Sequence, residues 1–117
     1  METQVNIPVT DCIYLKTNDF YCRYMYNDIL YMEASGSYCN IHLSLDNCTN
    51  LTLSLTLVEL QEYLPTDIFI RTHRTFIVNM NHIERILGNT IYIGEMAIPI
   101  GRDFRKDVFA HLNIVGL

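Results

Sequence analysis

Apolar and polar positions alternate along most of this chain with the period of a β-strand, and only twice does the period lengthen to that of a helix. Residues 12–17, CIYLKT, read as a first strand, Asn18–Asp19 as a turn and Tyr21–Met25 as the returning strand of a hairpin. Asn27–Asp28 turns the chain again. Ile29–Ala34, ILYMEA, is nearly continuously apolar and rich in strand formers, the pattern of a buried strand. Ser35, Gly36 and Ser37 break it, and Tyr38–Leu45 resumes with alternation. Tyr38, Asn40, His42 and Ser44 share one face of that strand; Cys39, Ile41, Leu43 and Leu45 share the other, which is the core face. Asp46–Asn47 is a turn, and Asn50–Leu53 is a further strand.

The period then changes. Thr56-Leu57-Val58-Glu59 fits a capping box, in which Thr56 caps the helix and Glu59 reaches back. Leu57, Leu60 and Leu64 fall on one stripe, and Pro65 ends a short amphipathic helix over residues 57–64. After the segment Phe69–Ile83, residues Ile83–Leu87 and Thr90–Ile93 read as strands around Gly88–Asn89, and Gly94–Glu95 turns into Met96–Ile100. Phe104, Val108 and Leu112 recur every four residues, which predicts a second helix over Arg102–Leu112. The expected architecture is mainly β: seven to ten short strands in antiparallel sheets, one short internal helix and a C-terminal helix. Residues 1–9 read as a linker or a cloning remnant ahead of one domain over residues 10–117.

The stretch Phe69–Ile83, FIRTHRTFIVNMNHI, joins a cationic segment to a piece of core. Arg71, His73 and Arg74 lie within four residues. In an extended chain, positions 71 and 73 share a face and Arg74 takes the other. Phe76–Val78 follows as an apolar run, stopped by Asn79 and Asn81. Such an arrangement holds cationic side chains in fixed places against an anionic partner; the plainer reading is a solvated face.

Charge changes the picture more than composition does. Half of the 117 residues are apolar, enough for a core, and the net charge is −5. Residues 1–70 hold two basic residues, Lys16 and Arg23, against nine acids, a balance of −7. Residues 71–117 hold six basic residues against four acids, a balance of +2, and binding follows local potential rather than the total. Arg102, Arg105 and Lys106 cluster in the first turns of the expected last helix. They oppose its dipole there, as a helix end that meets an anion does. No apolar run is long enough to span a bilayer, and the N-terminus lacks a signal-peptide pattern, so a cytoplasmic location is expected.

Catalytic and cofactor patterns are absent. The sequence contains no G-x-x-x-x-G-K-S/T or G-x-G-x-x-G loop, no H-E-x-x-H and no nucleophile elbow. Cys12, Cys22, Cys39 and Cys48 form no C-x-x-C pair, and free thiols are expected. The chain is not expected to be an enzyme or to carry a cofactor or metal.

Three segments now align with a known pattern: Asp28–Tyr38, DILYMEASGSY; Phe69–Ile83; and Ile98–Arg105, IPIGRDFR, with the helix LVEL at Leu57–Leu60 between the first two. In this order they resemble the LytTR-type DNA-binding domain, the output domain of LytR/AlgR-class bacterial response regulators. The resemblance runs from about residue 10 to residue 113, and its most specific part is F-x-R-x-H-R-T-F-I-V-N at 69–79. It implies an elongated β structure that reaches DNA with loops, in successive major grooves and the minor groove between them.

Carried over position by position, the resemblance puts Cys39 at a base-reading place, with Ser37, Tyr38 and Asn40 beside it. Relatives carry a basic or imidazole side chain there. A thiol is a weak donor, so a contact to a thymine methyl is an equal alternative. The alternation also turns Cys39 inward, and the two readings of this residue conflict. Arg74, after the central His73, approaches the minor groove or its phosphates. Arg102 reads the second major groove, where a guanidinium bonds guanine O6 and N7 together. Arg105 and Lys106 contact phosphates. Arg71 and His73 have a second possible role, bracing the loops.

The resemblance therefore implies a sequence-specific DNA-binding domain of a transcriptional regulator. Its partner is double-stranded promoter DNA, bound as a dimer; domains of this type follow an N-terminal receiver domain or stand free. The alternative from another class is a small β-rich protein–protein or dimerisation module without DNA binding.

Overall fold

Two-residue turns after short alternating segments produce antiparallel neighbours, and all strand pairs among the described residues are antiparallel. A computed structural model describes residues 11–45 and 48–116, without the side chains of 45, 48 and 49. Strands β1 (Cys12–Thr17) and β2 (Phe20–Met25) form a separate hairpin. Five strands make the central sheet: β3 (Ile29–Ser35), β4 (Tyr38–Leu45), β5 (Cys48–Leu53), β6 (Phe69–His73) and β7 (Phe76–Asn79), in the order β5-β4-β3-β7-β6. A third sheet holds β8 (Arg85–Leu87), β9 (Thr90–Ile93) and β10 (Met96–Pro99). Helix α1 spans Leu57–Gln61 and α2 spans Arg105–His111, the latter preceded by a 3-10 turn at Arg102–Phe104. The described residues measure 48 × 38 × 27 Å along their principal axes, an elongated β structure with little helix, as expected.

Helix α1 begins where the capping box predicts. The Thr56 hydroxyl accepts from the Glu59 N–H at 3.2 Å, and the Glu59 carboxylate accepts from the Thr56 N–H at 2.8 Å. It ends at Gln61 rather than at residue 64. The N–H groups of Tyr63 and Leu64 bond three residues back, to Leu60 and Gln61, the tightened last turn common where a helix stops ahead of a proline. The predicted second helix is likewise split, its first three residues forming the 3-10 turn.

The central sheet buries both faces. One face packs Met32, Ile41, Phe69 and Ile77 against Leu57, Leu60 and Leu64 of the α1 segment and Leu15 of the first hairpin. The other packs Tyr31, Ile70 and Val78 against Ile91, Ile98 and Val108 of the third sheet and α2. Each fully buried aliphatic side chain contributes about 1.5–3 kcal/mol. A register shift between Ile29 and Tyr31 lets β3 serve both cores, because it puts Ile29 on the same side as Met32 and leaves Tyr31 on the other.

Asn79 closes the frame. It is fully buried, and its amide donates to the carbonyls of Tyr26 (2.9 Å) and Ile29 (3.0 Å) while its oxygen accepts from the Asn81 N–H (2.9 Å). The residue that stops the apolar run thus ties β7 to the entry of β3.

Candidate nucleic-acid interface

Pairing of β3 with β7 decides where the cationic segment goes. Glu33 opposes Phe76, and the Ala34 N–H donates to the Thr75 carbonyl at 2.8 Å. The β3–β4 turn (Gly36–Ser37) and the β6–β7 turn (Arg74–Thr75) therefore leave the central sheet at the same end. The third segment joins them through its backbone: the Gly101 N–H donates to the Thr72 carbonyl at 2.7 Å. A Cβ on Gly101 would lie 3.4 Å from the His73 ring and 3.1 Å from the Phe104 ring, so this approach is close. Residues far apart in sequence, at 35–38, 73–75 and 101–106, meet at one end of the molecule.

The first turn is built on Gly36, whose φ of 62° suits a type II′ connection. Ser37 and Tyr38 stand exposed on it. Asn40 is half-buried, and its side-chain oxygen accepts from the Thr52 hydroxyl at 2.8 Å. Cys39 is fully buried among the core residues of the first face, and burial pushes its thiol pKa up. The inward alternation of β4 thus prevails over the family position, and base contact by Cys39 is corrected: a side chain with no accessible surface cannot touch a base edge.

The second turn holds Arg74 exposed, with no side-chain partner among the described residues. Strand β6 ends at His73 with a register shift after Arg71, so Arg74 sits in the turn and not on a strand face. His73 is half-buried. Its Nδ1 accepts from the Thr75 N–H at 3.1 Å, so any ring N–H lies on Nε2. Arg71 donates to the carbonyls of His73 and Arg74, at 2.8 and 2.7 Å, and to the Gln61 side chain at 3.1 Å. Partial burial lowers its pKa, but an arginine keeps its charge. Arg71 and His73 brace this turn.

The third segment divides. Arg102 and Lys106 are exposed and have no side-chain partner among the described residues. Arg105 is engaged: it donates to the Gly88 carbonyl (3.2 Å) and to the Asn89 side chain, and its guanidinium lies 4.2 Å from the Phe109 ring centre. Its charge is directed at the β8–β9 turn. Gln61, Asn89 and Gly101 were not expected as supports. Their partners lie 10, 16 and 29 positions away, and no local spacing signals such contacts.

Comparison with known proteins gives the same reading. The family model of the LytTr DNA-binding domain matches residues 19–113. The sensory transduction protein LytT of Bacillus subtilis is 32% identical over 93 residues, covering 74% of this chain and 37% of that protein. The CO-responsive transcriptional regulator RcoM of Rhodospirillum rubrum is 32% identical over 81 residues, covering 63% of this chain and 33% of that protein. The chain spans about a third of the length of these curated relatives. A solved LytTr DNA-binding domain, from a Bacillus cereus protein assigned as a methyl-accepting/DNA response regulator, superposes with a TM-score of 0.71 at 26% identity, covering 89% of this chain and 98% of that one. The family match over most of the sequence and the shared fold agree, and the chain belongs to the LytTr DNA-binding domain family.

Proposed function

We propose that this chain is the output domain of a cytoplasmic two-component response regulator, and that it reads promoter DNA as a dimer with turns rather than with an inserted helix. The turn carrying Ser37 and Tyr38, with Asn40 beside it, faces one major groove. Arg102 faces the next, and Arg74 enters the minor groove between them. Lys106 meets a phosphate. A receiver domain ahead of residue 1 fits the similarity to LytT, a sensory transduction protein of which this chain matches 37%. Cys39 leaves the set of DNA contacts because it is buried, whereas Arg105 is exposed and bonds the β8–β9 turn through one nitrogen, which leaves its other donors for a phosphate.

The supporting observation is the meeting of three separate segments at one end of the central sheet, with Arg74, Arg102 and Lys106 exposed and unpaired there among the described residues. Cations left free beside braced backbone suit an anionic rod whose grooves are spaced regularly. No helix among the described residues is long and apolar enough to cross a membrane. The test is retention of the purified domain on double-stranded DNA at increasing salt. Binding that falls steeply with salt, and a single motif enriched from a random duplex pool, are expected. Absence of retention at low salt overturns the reading.

A further inference from the structure

Among the described residues, five hairpins have two-residue turns. Four of them, Asn18–Asp19, Gly36–Ser37, Gly88–Asn89 and Gly94–Glu95, open with a residue at positive φ, between 55° and 62°. That backbone sign matches the right-handed twist of the flanking strands. The fifth, Arg74–Thr75, has no positive φ at either position. Its backbone does not favour a tight hairpin by itself, yet it carries an exposed arginine.

We infer that Arg71 is a positioning residue for DNA reading: it holds the Arg74 turn closed and fixes it relative to Arg102. The inference rests on the function proposed above. Arg71 donates to two successive carbonyls, His73 at the end of β6 at 2.8 Å and Arg74 in the turn at 2.7 Å, through two nitrogens of one rigid plane. A third nitrogen reaches Gln61 at the end of α1, at 3.1 Å. The same guanidinium lies 5.9 Å from the ring centre of Phe104, two residues beyond Arg102. One side chain thus touches the turn of Arg74, the turn segment of Arg102 and the helix beneath them. A lysine has the charge but lacks the fork, and cannot bond two carbonyls and an amide in this geometry. The separation between Arg74 and Arg102 sets the distance between a minor-groove and a major-groove contact, so a loosened turn costs both contacts at once.

The test uses Arg71→Gln and Arg71→Lys, alone and combined with Arg74→Ala, titrated well below their melting temperatures. The probes are the duplex enriched by the wild-type chain from a random pool and its scrambled counterpart. In the wild-type background, Arg74→Ala should weaken binding to the enriched duplex by about tenfold. In either Arg71 background, the same substitution should change it less than about twofold, because the contact is already lost. Lysine should not rescue. Equal effects of Arg74→Ala in all backgrounds overturn the inference and leave the function standing. A second measurement needs no DNA. Hydrogen exchange at the Thr75 amide of the free protein should accelerate at least tenfold in both Arg71 variants, with amide shifts at Arg102 and Phe104. Unchanged exchange and shifts overturn the inference whatever the DNA result. If the wild-type chain binds no DNA, the function fails instead, and the exchange data still decide whether Arg71 holds the turn.

Discussion

The backbone N–H of Gly101 donates to the carbonyl of Thr72 at 2.7 Å, and this single bond sets Arg102 beside the His73–Thr75 turn. Arg102 is exposed on a fixed backbone, so its removal should spare the fold. A bidentate guanine contact is worth about 1–3 kcal/mol of discrimination. Arg102→Ala should therefore weaken binding to a preferred duplex by about tenfold to a hundredfold and relax preference at one base pair. Lys106→Ala should weaken all sequences alike and lower the salt slope by about one unit. Arg105→Ala should instead reduce thermal stability, since it frees the β8–β9 turn. Titrations on preferred and scrambled duplexes at several salt concentrations separate the three. An equal loss on both duplexes for Arg102→Ala would make it a phosphate contact.

The Thr72 hydroxyl is fully buried and has no hydrogen-bond partner among the described residues. Valine has nearly the same shape and no group to desolvate. Thr72→Val should stabilise the domain by about 1 kcal/mol, a rise in melting temperature of about 4 °C or more for a domain of this size. Differential scanning calorimetry measures it. A fall in melting temperature would mean that the hydroxyl has a partner.

Asn79→Ala should act in the opposite direction. It strands the carbonyls of Tyr26 and Ile29 and the N–H of Asn81 inside the protein. The loss should be about 2–4 kcal/mol, read as a shift in the urea midpoint with little change in slope.

Burial raises the thiol pKa of Cys39. The folded state therefore favours the protonated form. The stability this brings is complete below the ordinary thiol value and is lost as pH rises through the folded value. At pH 8 an alkylating reagent should label half-buried Cys22 well before buried Cys12 or Cys39. Peptide mapping after timed quenching reads the order. Early labelling of Cys39 in native protein would show that β4 opens readily.

Strands, turns and the capping box were legible because each depends on neighbours in sequence. Alternation alone turned Cys39 inward, and that local signal was sounder than the transferred base-reading role. The strand order of the central sheet was not legible: β7 lies between β3 and β6, and no pattern along the chain encodes that insertion. Arg105 shows the same limit for side chains. Its place in a basic cluster suggests a phosphate contact, and its bond to Asn89, which comes close only in the folded chain, is a second role that no local pattern signals. The exposure of Arg74 and Arg102 follows from that same long-range assembly.

The side chains at 37, 38, 74 and 102 are exposed, whereas Arg71, His73 and Asn79 are tied into the frame. Replacing an exposed residue of the first group removes no bond that the scaffold needs. On the proposed reading of these residues, a regulator built this way is retargeted to a different promoter by a few surface changes while its melting temperature stays almost constant. Specificity and foldability can then diverge independently among paralogues, and a library randomised at those four positions should yield mostly folded proteins.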